Sequence, residues 1–137
     1  MLAFRKIPRV SPVLVAAAAF GCGFVFSQAA GPKDSTGSST QLLGQIDLAG
    51  EIDGVQGRQL RARAVTVAPG GHLAAHSHKG RPTLEYVVQG EIVEIRNGVE
   101  ILHQAGDLVV AAKDVTHWWE NRGTVPVVLL PVDVVKP

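Results

Sequence analysis

His76 and His78 form a His-x-His pair, the most chemically suggestive spacing in the chain. In an extended segment side chains alternate faces, so residues two apart project the same way, ~7 Å apart at Cα on a rise of ~3.3 Å per residue. Two imidazoles so placed can converge on one metal ion. They can equally be two solvated histidines beside the loop Lys79-Gly80-Arg81, and the pair alone leaves both readings open. The other histidines are His72, His103 and His117. His72 shares strand parity with His76 but falls beside the turn Pro69-Gly70-Gly71, and reads as a surface residue. His103 lies near the end of a hairpin and reads as non-ligating. Cysteine offers little: Cys22 is the only one, which excludes a disulfide framework, thiolate zinc sites and thiol catalysis from the rest of the chain.

The positions of the charges divide the chain. Arg5, Lys6 and Arg9 precede an apolar run from Val13 to Phe26, followed by the small residues Ser27 and Ala29. That order is a secretory signal peptide, expected over residues 1–29 with cleavage near Ala29–Ala30. An uncleaved anchor and a lipoprotein cysteine at Cys22 are the alternatives; Ala19-Phe20-Gly21 matches a lipobox poorly. The arginines are unpaired, which favours general export of an unfolded chain, so a periplasmic or secreted location is expected. Past Phe26 the chain carries ten Lys/Arg against all twelve Asp/Glu, a mildly acidic balance that argues against a nucleic-acid partner. No second apolar run reaches membrane-spanning length, so no stable membrane association is expected after cleavage.

Residues 30–41 are polar, small and aperiodic, the composition of a flexible linker. The folded domain is therefore expected over residues 42–137. Helix signals there are scarce. Short β-prone runs recur at residues 59–68, 83–89, 91–96, 99–104, 108–112, 116–120 and 125–132. Asn97-Gly98 between two of them is the strongest short-range hairpin signal. About seven short strands imply an all-β antiparallel sandwich or barrel. Pro126 and Pro131 suggest that the last strand is irregular or at an edge. Trp119 shares parity with His117 and Asn121 while Trp118 faces the other way, so one tryptophan is expected inside and the other outside.

Gly70, five residues, His76-Ser77-His78 and then Gly90 resemble the first motif of the cupin superfamily. Gly106-Asp107, His117 and Asn121 resemble the second, and fifteen residues separate Gly90 from Gly106. The resemblance covers residues 58–132 and implies a small double-stranded β-helix, or jelly-roll barrel. It also implies that His117 joins His76 and His78 as a metal ligand. The usual glutamate of the first motif is replaced by Thr83. Glu85 lies two residues on, on the same face but displaced by ~6–7 Å, and is expected to reach the ion only through a bulge or a shifted register. The expected centre is thus three neutral imidazoles around one divalent transition metal (Fe, Mn, Cu, Ni or Zn). An unligated Glu85 would face the cavity as the candidate group for proton transfer, or form an ion pair with Arg81.

An ion held by three neutral ligands keeps its full double charge and open positions, the arrangement of a catalytic site. It would attract enolates, carboxylates or catecholates as a Lewis acid. The resemblance implies a metal-dependent enzyme, of the quercetinase-like dioxygenase class, acting on a small chelating or enolisable molecule. The alternative is a binding module for a small molecule or metal. The resemblance also implies a homodimer built through edge strands. The segment from Leu42 to Leu60, with Leu43, Ile46 and Leu48, can supply such a strand or close within its own chain.

Overall fold

The computed structural model describes residues 30–137; the expected signal peptide lies outside them. Strand β1 spans Thr36–Asp47, β2 Gln59–Ser77, β3 Thr83–Gln89, β4 Glu91–Arg96, β5 Val99–Gln104, β6 Leu108–Ala111, β7 Thr116–Glu120 and β8 Val127–Val135. A single 3-10 turn, Leu48–Gly50, interrupts them among the described residues. The strands form one sheet in the order β5-β4-β7-β2-β8-β3-β6, with β1 added on β2, and the sheet curls into the expected jelly-roll barrel. Asn97 and Gly98 both take positive φ (54° and 78°), the conformation that a two-residue hairpin turn requires, and β4 pairs with β5 in register across it.

Two segments differ from expectation. Residues 30–41 are not a free spacer, because Thr36 to Gln41 belong to β1, which pairs with β2 of the same chain. The preceding residues are strapped along β2: Ala75 donates its backbone N–H to Pro32 O (2.8 Å), and Ala74 donates to Ser35 Oγ (2.9 Å). Gly31 lies so close to Trp118 that an added Cβ would come 2.6 Å from its ring. Small polar residues offer no apolar periodicity, yet their backbone groups can complete an unpaired sheet edge, and composition does not register that capacity.

The second difference is β2, which runs through Pro69-Gly70-Gly71 instead of stopping there. The bend is held by Gly70 N–H donating to Asn121 O (2.8 Å) and Asn121 N–H donating to Gly71 O (2.9 Å). β2 thereby changes partners, pairing with β8 before the bend and with β7 after it.

Strand parity sorts the interior into two zones. Val65 and Val67 on β2, Val87 on β3, and Val127 and Leu129 on β8 join Ile92, Val109 and Trp119 in one apolar core. Each such side chain contributes ~1.5–3 kcal/mol on burial. Further along the same inward faces, each of these three adjacent strands turns polar. β2 carries Arg63 and Arg61, β3 carries Glu85 and Thr83, and β8 carries Asp133. Cross-strand register aligns these ends, since Asp133 is opposite both Arg61 and Thr83. A sequence pattern of period two thus builds one dry end and one polar end.

Asn121 ties the bend to the apolar end. Its Nδ2 donates to Val67 O and Val125 O (2.9 Å each), and its Oδ1 accepts from Gly123 N–H (3.0 Å). Asn121→Ala is expected to cost ~1–3 kcal/mol, because buried carbonyls lose their donor. Urea unfolding measures this, and a loss below ~0.5 kcal/mol, the range of ordinary surface changes, would contradict the assigned role.

Candidate metal centre

β2 and β7 run antiparallel with His76 directly opposite His117, beyond a bulge between Leu73 and His76. His78 follows the end of β2 and continues the ladder by donating its N–H to Val115 O (2.9 Å). The three rings meet with centroids 4.8–5.0 Å apart. His78 and His117 are fully buried and His76 is partly so.

The second nitrogen of each ring is already committed. His76 Nδ1 donates to Ala74 O (2.9 Å), and His117 Nδ1 donates to Glu94 Oε1. His78 Nδ1 is 2.8 Å from Thr83 Oγ1 and 3.1 Å from Arg81 O. The Thr83 hydroxyl itself donates to Arg81 O (3.0 Å), leaving its oxygen to accept from His78. Every Nδ1 therefore donates, and the three Nε2 atoms are the positions left to take a metal ion. The Nε2 atoms of His78 and His117 face each other at 2.9 Å. Two lone pairs at that distance repel unless a proton or a cation lies between them.

Glu85 completes the group. Its Oε1 is 3.9 Å from His78 Nε2, and its Oε2 is 3.8 Å from His117 Nε2. Oε2 is buried without a hydrogen-bond partner. One ligand atom from each of His76, His78, Glu85 and His117 lies within 4.8 Å of the others. Donors ~2.1 Å from a common ion stand ~3.0–3.4 Å apart at right or tetrahedral angles, so small side-chain movements suffice. The donor set fits a divalent transition metal, and the protonated Nδ1 atoms on carbonyl, hydroxyl and carboxylate acceptors are the usual support of metal-binding imidazoles.

The expectation of three imidazoles alone is corrected in this respect. Glu85 joins the group from regular strand pairing: Thr83 to Tyr86 match Ala111 to Leu108 without interruption, and the nearest irregularity on β3 lies between Val87 and Gln89. The turn after His78 explains the reach. Arg81 N–H donates to His78 O (2.9 Å), which sets Thr83 beside Nδ1 of the His78 ring and the next inward residue, Glu85, on its Nε2 side. Glu85 therefore stands beside the three histidines as a fourth donor, and it also lines the cavity next to them. Its alternative partner Arg81 pairs with Asp133 instead (3.3 Å).

Glu94 is the residue that sequence reasoning missed. It is fully buried on β4, where it accepts from His117 Nδ1, Arg96 Nε (2.7 Å) and His103 Nε2 (3.0 Å). Nothing in Glu91–Arg96 singles it out, because apolar residues occur on both parities of that strand. His103 stands outside the donor group, where it donates to Glu94 and packs on Trp119 (centroids 5.5 Å). His72 donates to Asp34 O (3.0 Å), away from the centre. Trp119 is buried against His117, and Trp118 lies on the opposite face with its Nε1 on Glu120.

Electrostatics follow from this burial. Burial, with the neighbouring His117, lowers His76 and His78 to about 4, so both are neutral at pH 7. Burial raises the Glu85 carboxyl, and His117 opposes it only in part. Burial would also raise Glu94, but its hydrogen bonds from His117, Arg96 and His103 outweigh that and hold it at about 2. A cavity of about 180 Å³ opens beside the cluster, lined by His76 and Glu85 together with Arg63 and Arg81.

An antiparallel jelly roll with three inward histidines and a carboxylate defines a class of small metal-site barrels. The chain belongs to the cupin family: the cupin domain model matches residues 63–134. A structure described as a predicted oxalate decarboxylase from Thermotoga maritima is 27% identical, with 55% of this chain and 65% of that one covered and a TM-score of 0.52. This chain thus spans slightly under two thirds of that protein. The protein TT1209 from Thermus thermophilus is 22% identical over 77% of this chain and 88% of its own, with a TM-score of 0.59. A sugar phosphate isomerase of the cupin superfamily from Silicibacter pomeroyi is 23% identical over 74% and 61%, with a TM-score of 0.58. No curated protein matches the chain.

His117→Ala is expected to abolish stoichiometric metal binding with the β-rich fold retained, whereas Glu94→Gln and Thr83→Val should weaken affinity ~10–100-fold. Elemental analysis and metal titration check this, and full occupancy in His117→Ala would remove the assignment. Acid should destabilise the metal-free protein. His76 and His78 are held near 4 in the fold, below the ~6.5 of an unfolded histidine, so the unfolded chain binds more protons and stability falls as pH drops from ~6.5 towards 4. Glu94, held at about 2, adds a further loss below ~4.5. Urea midpoints in chelator at pH 7.5, 5.5 and 4.5 should descend; a flat series would contradict the buried neutral histidines.

Proposed function

We propose that this protein is an exported, metal-dependent cupin enzyme of the dioxygenase type, acting on a small chelating or enolisable substrate. The observation that carries the reading is the convergence of three imidazole Nε2 atoms and an unpartnered Glu85 oxygen beside a cavity. A divalent ion held there supplies Lewis acidity and, if it is iron, manganese, copper or nickel, a route to dioxygen chemistry. His76, His78, Glu85 and His117 would hold it, and Glu94 and Thr83 would fix the rings. At about 180 Å³ the cavity is smaller than the ~300–1,000 Å³ of sites that enclose drug-sized ligands, which favours small members of the substrate class.

One observation favours a second reading, a non-enzymatic binding module. With Glu85 and His76 both in the donor group, no further carboxylate or histidine among the described residues lines the cavity to transfer a proton. Export rests on the sequence of residues 1–29. The homodimer is supported by the outward face of β3 and β6, where Leu84, Tyr86, Val88, Leu108 and Val110 are all more than 40% exposed. Sedimentation velocity reads it directly.

Purified protein loaded in turn with each of the five metals is expected to consume oxygen with a small enolisable acid or catechol for at least one of iron, manganese, copper and nickel, and not for zinc. His76→Ala should reduce that rate at least ~100-fold, as loss of transition-state stabilisation of ~2.7 kcal/mol requires. Tight binding of the same compounds with no oxygen uptake for any metal would decide for the binding module.

A further inference from the structure

The polar end of the barrel carries more positive charge than its own residues neutralise. Asp133 is fully buried and takes three guanidinium groups: Arg61 in a two-pronged bond (3.1 and 2.9 Å), Arg63 at 3.0 Å and Arg81 at 3.3 Å. One carboxylate cannot balance three cations. No other carboxylate makes up the difference. Glu85 is near enough for its charge to act on Arg63 and Arg81 but makes no ion pair with either and leaves Oε2 without a hydrogen-bond partner, and Glu94 is occupied by His117, Arg96 and His103.

Arg63 shows the imbalance most clearly. Its Nε is buried without any acceptor. Burial lowers its pKa, Asp133 works against that, and the like charges of Arg61 and Arg81 lower it further. Guanidinium groups keep their charge under such conditions, so the shortage has to be met by an anion. Arg63 and Arg81 line the same cavity as His76 and Glu85, and Val65, Leu73 and Leu129 add apolar wall to it. Arg81 is also tied to the donor group, since its carbonyl accepts from the His78 ring.

We propose that Arg63 and Arg81 form an anion-binding pole in the cavity that the metal-ligand cluster also lines, and that the cavity takes a short organic acid whose carboxylate or phosphate sits on these two arginines while a second oxygen donor faces the cluster. The assignment of the second oxygen rests on the metal reading above; the arginine pole rests on its own geometry. The fork of donors on a guanidinium suits both anions. The apolar walls of the cavity suit a carbon skeleton of a few atoms, and reject a polyhydroxylated chain that would leave its hydroxyls unpaired.

Calorimetric titration tests the pole with three probes on the zinc-loaded protein: malonate, inorganic phosphate and acetohydroxamate, a chelator that carries no carboxylate. Arg63→Gln and Arg81→Gln each leave Asp133 its two-pronged bond to Arg61, so the fold has a second anchor. Each variant is expected to weaken the acid at least ~10-fold, or ~1.4 kcal/mol, with acetohydroxamate affinity within ~2-fold and zinc stoichiometry unchanged. The tighter of malonate and phosphate in the wild type identifies the anion. Equal losses for acetohydroxamate and the acids would overturn the proposal, since the arginines would then only shape the site. So would acid binding that ignores both substitutions, or a zinc-loaded wild type that binds neither acid. If the wild type holds no zinc, the metal reading fails by itself. The pole is then judged on the metal-free protein, where arginine-dependent binding of either acid upholds it and no binding overturns it.

Discussion

Three imidazole Nε2 atoms and one buried carboxylate oxygen converge within a few ångströms, and this concentration of metal-donor atoms constrains everything around it. Such an arrangement is repulsive by itself. It persists because each ring is locked from behind: His76 by a backbone carbonyl, His78 by Thr83 and Arg81, His117 by Glu94. The supports rest in turn on strand pairing. β2 must bend at Gly70-Gly71 to leave β8 and join β7, since only that exchange puts His76 opposite His117. β4 must pair with β7 to bring Glu94 under the His117 ring.

The same interior handles charge in two different ways. Around Glu94 the balance is closed: one carboxylate meets Arg96, His103 and His117 and is held strongly ionised. Around Asp133 it stays open, with three arginines on one acid. Buried charge is tolerated when it is paired and hydrogen-bonded, so an open balance marks where something from outside belongs. The cavity is lined by members of both groups, His76 and Glu85 that favour a cation and Arg63 and Arg81 that favour an anion.

Much of the barrel was legible in the chain. The Asn97-Gly98 turn and the β-prone runs are local signals, and the structure places strands at each of those runs. The first strand was not legible, because Thr36 to Gln41 carry no apolar alternation and gain order only from the β2 edge they complete. The continuation of β2 through Pro69-Gly70-Gly71 was hidden for a similar reason, as the hydrogen bonds holding the bend come from Asn121, about fifty residues away. In the site, parity aligned Thr83 with Glu85 but gave no account of which would be level with the ion. Glu94 left no trace at all.

The sequence by itself determined the strand periodicity, the hairpin, the three histidines and the absence of thiol chemistry beyond Cys22. These follow from residue types and spacings of a few positions, which short-range sterics and side-chain chemistry enforce directly. Tertiary structure alone decided that Glu85 stands with the histidines while Thr83 supports one of them, that Glu94 anchors His117, and that three arginines share Asp133. Each of those facts compares heights and facings across strands far apart in the chain. They are set by cross-strand register and by the turn after His78, and no local window of sequence contains them.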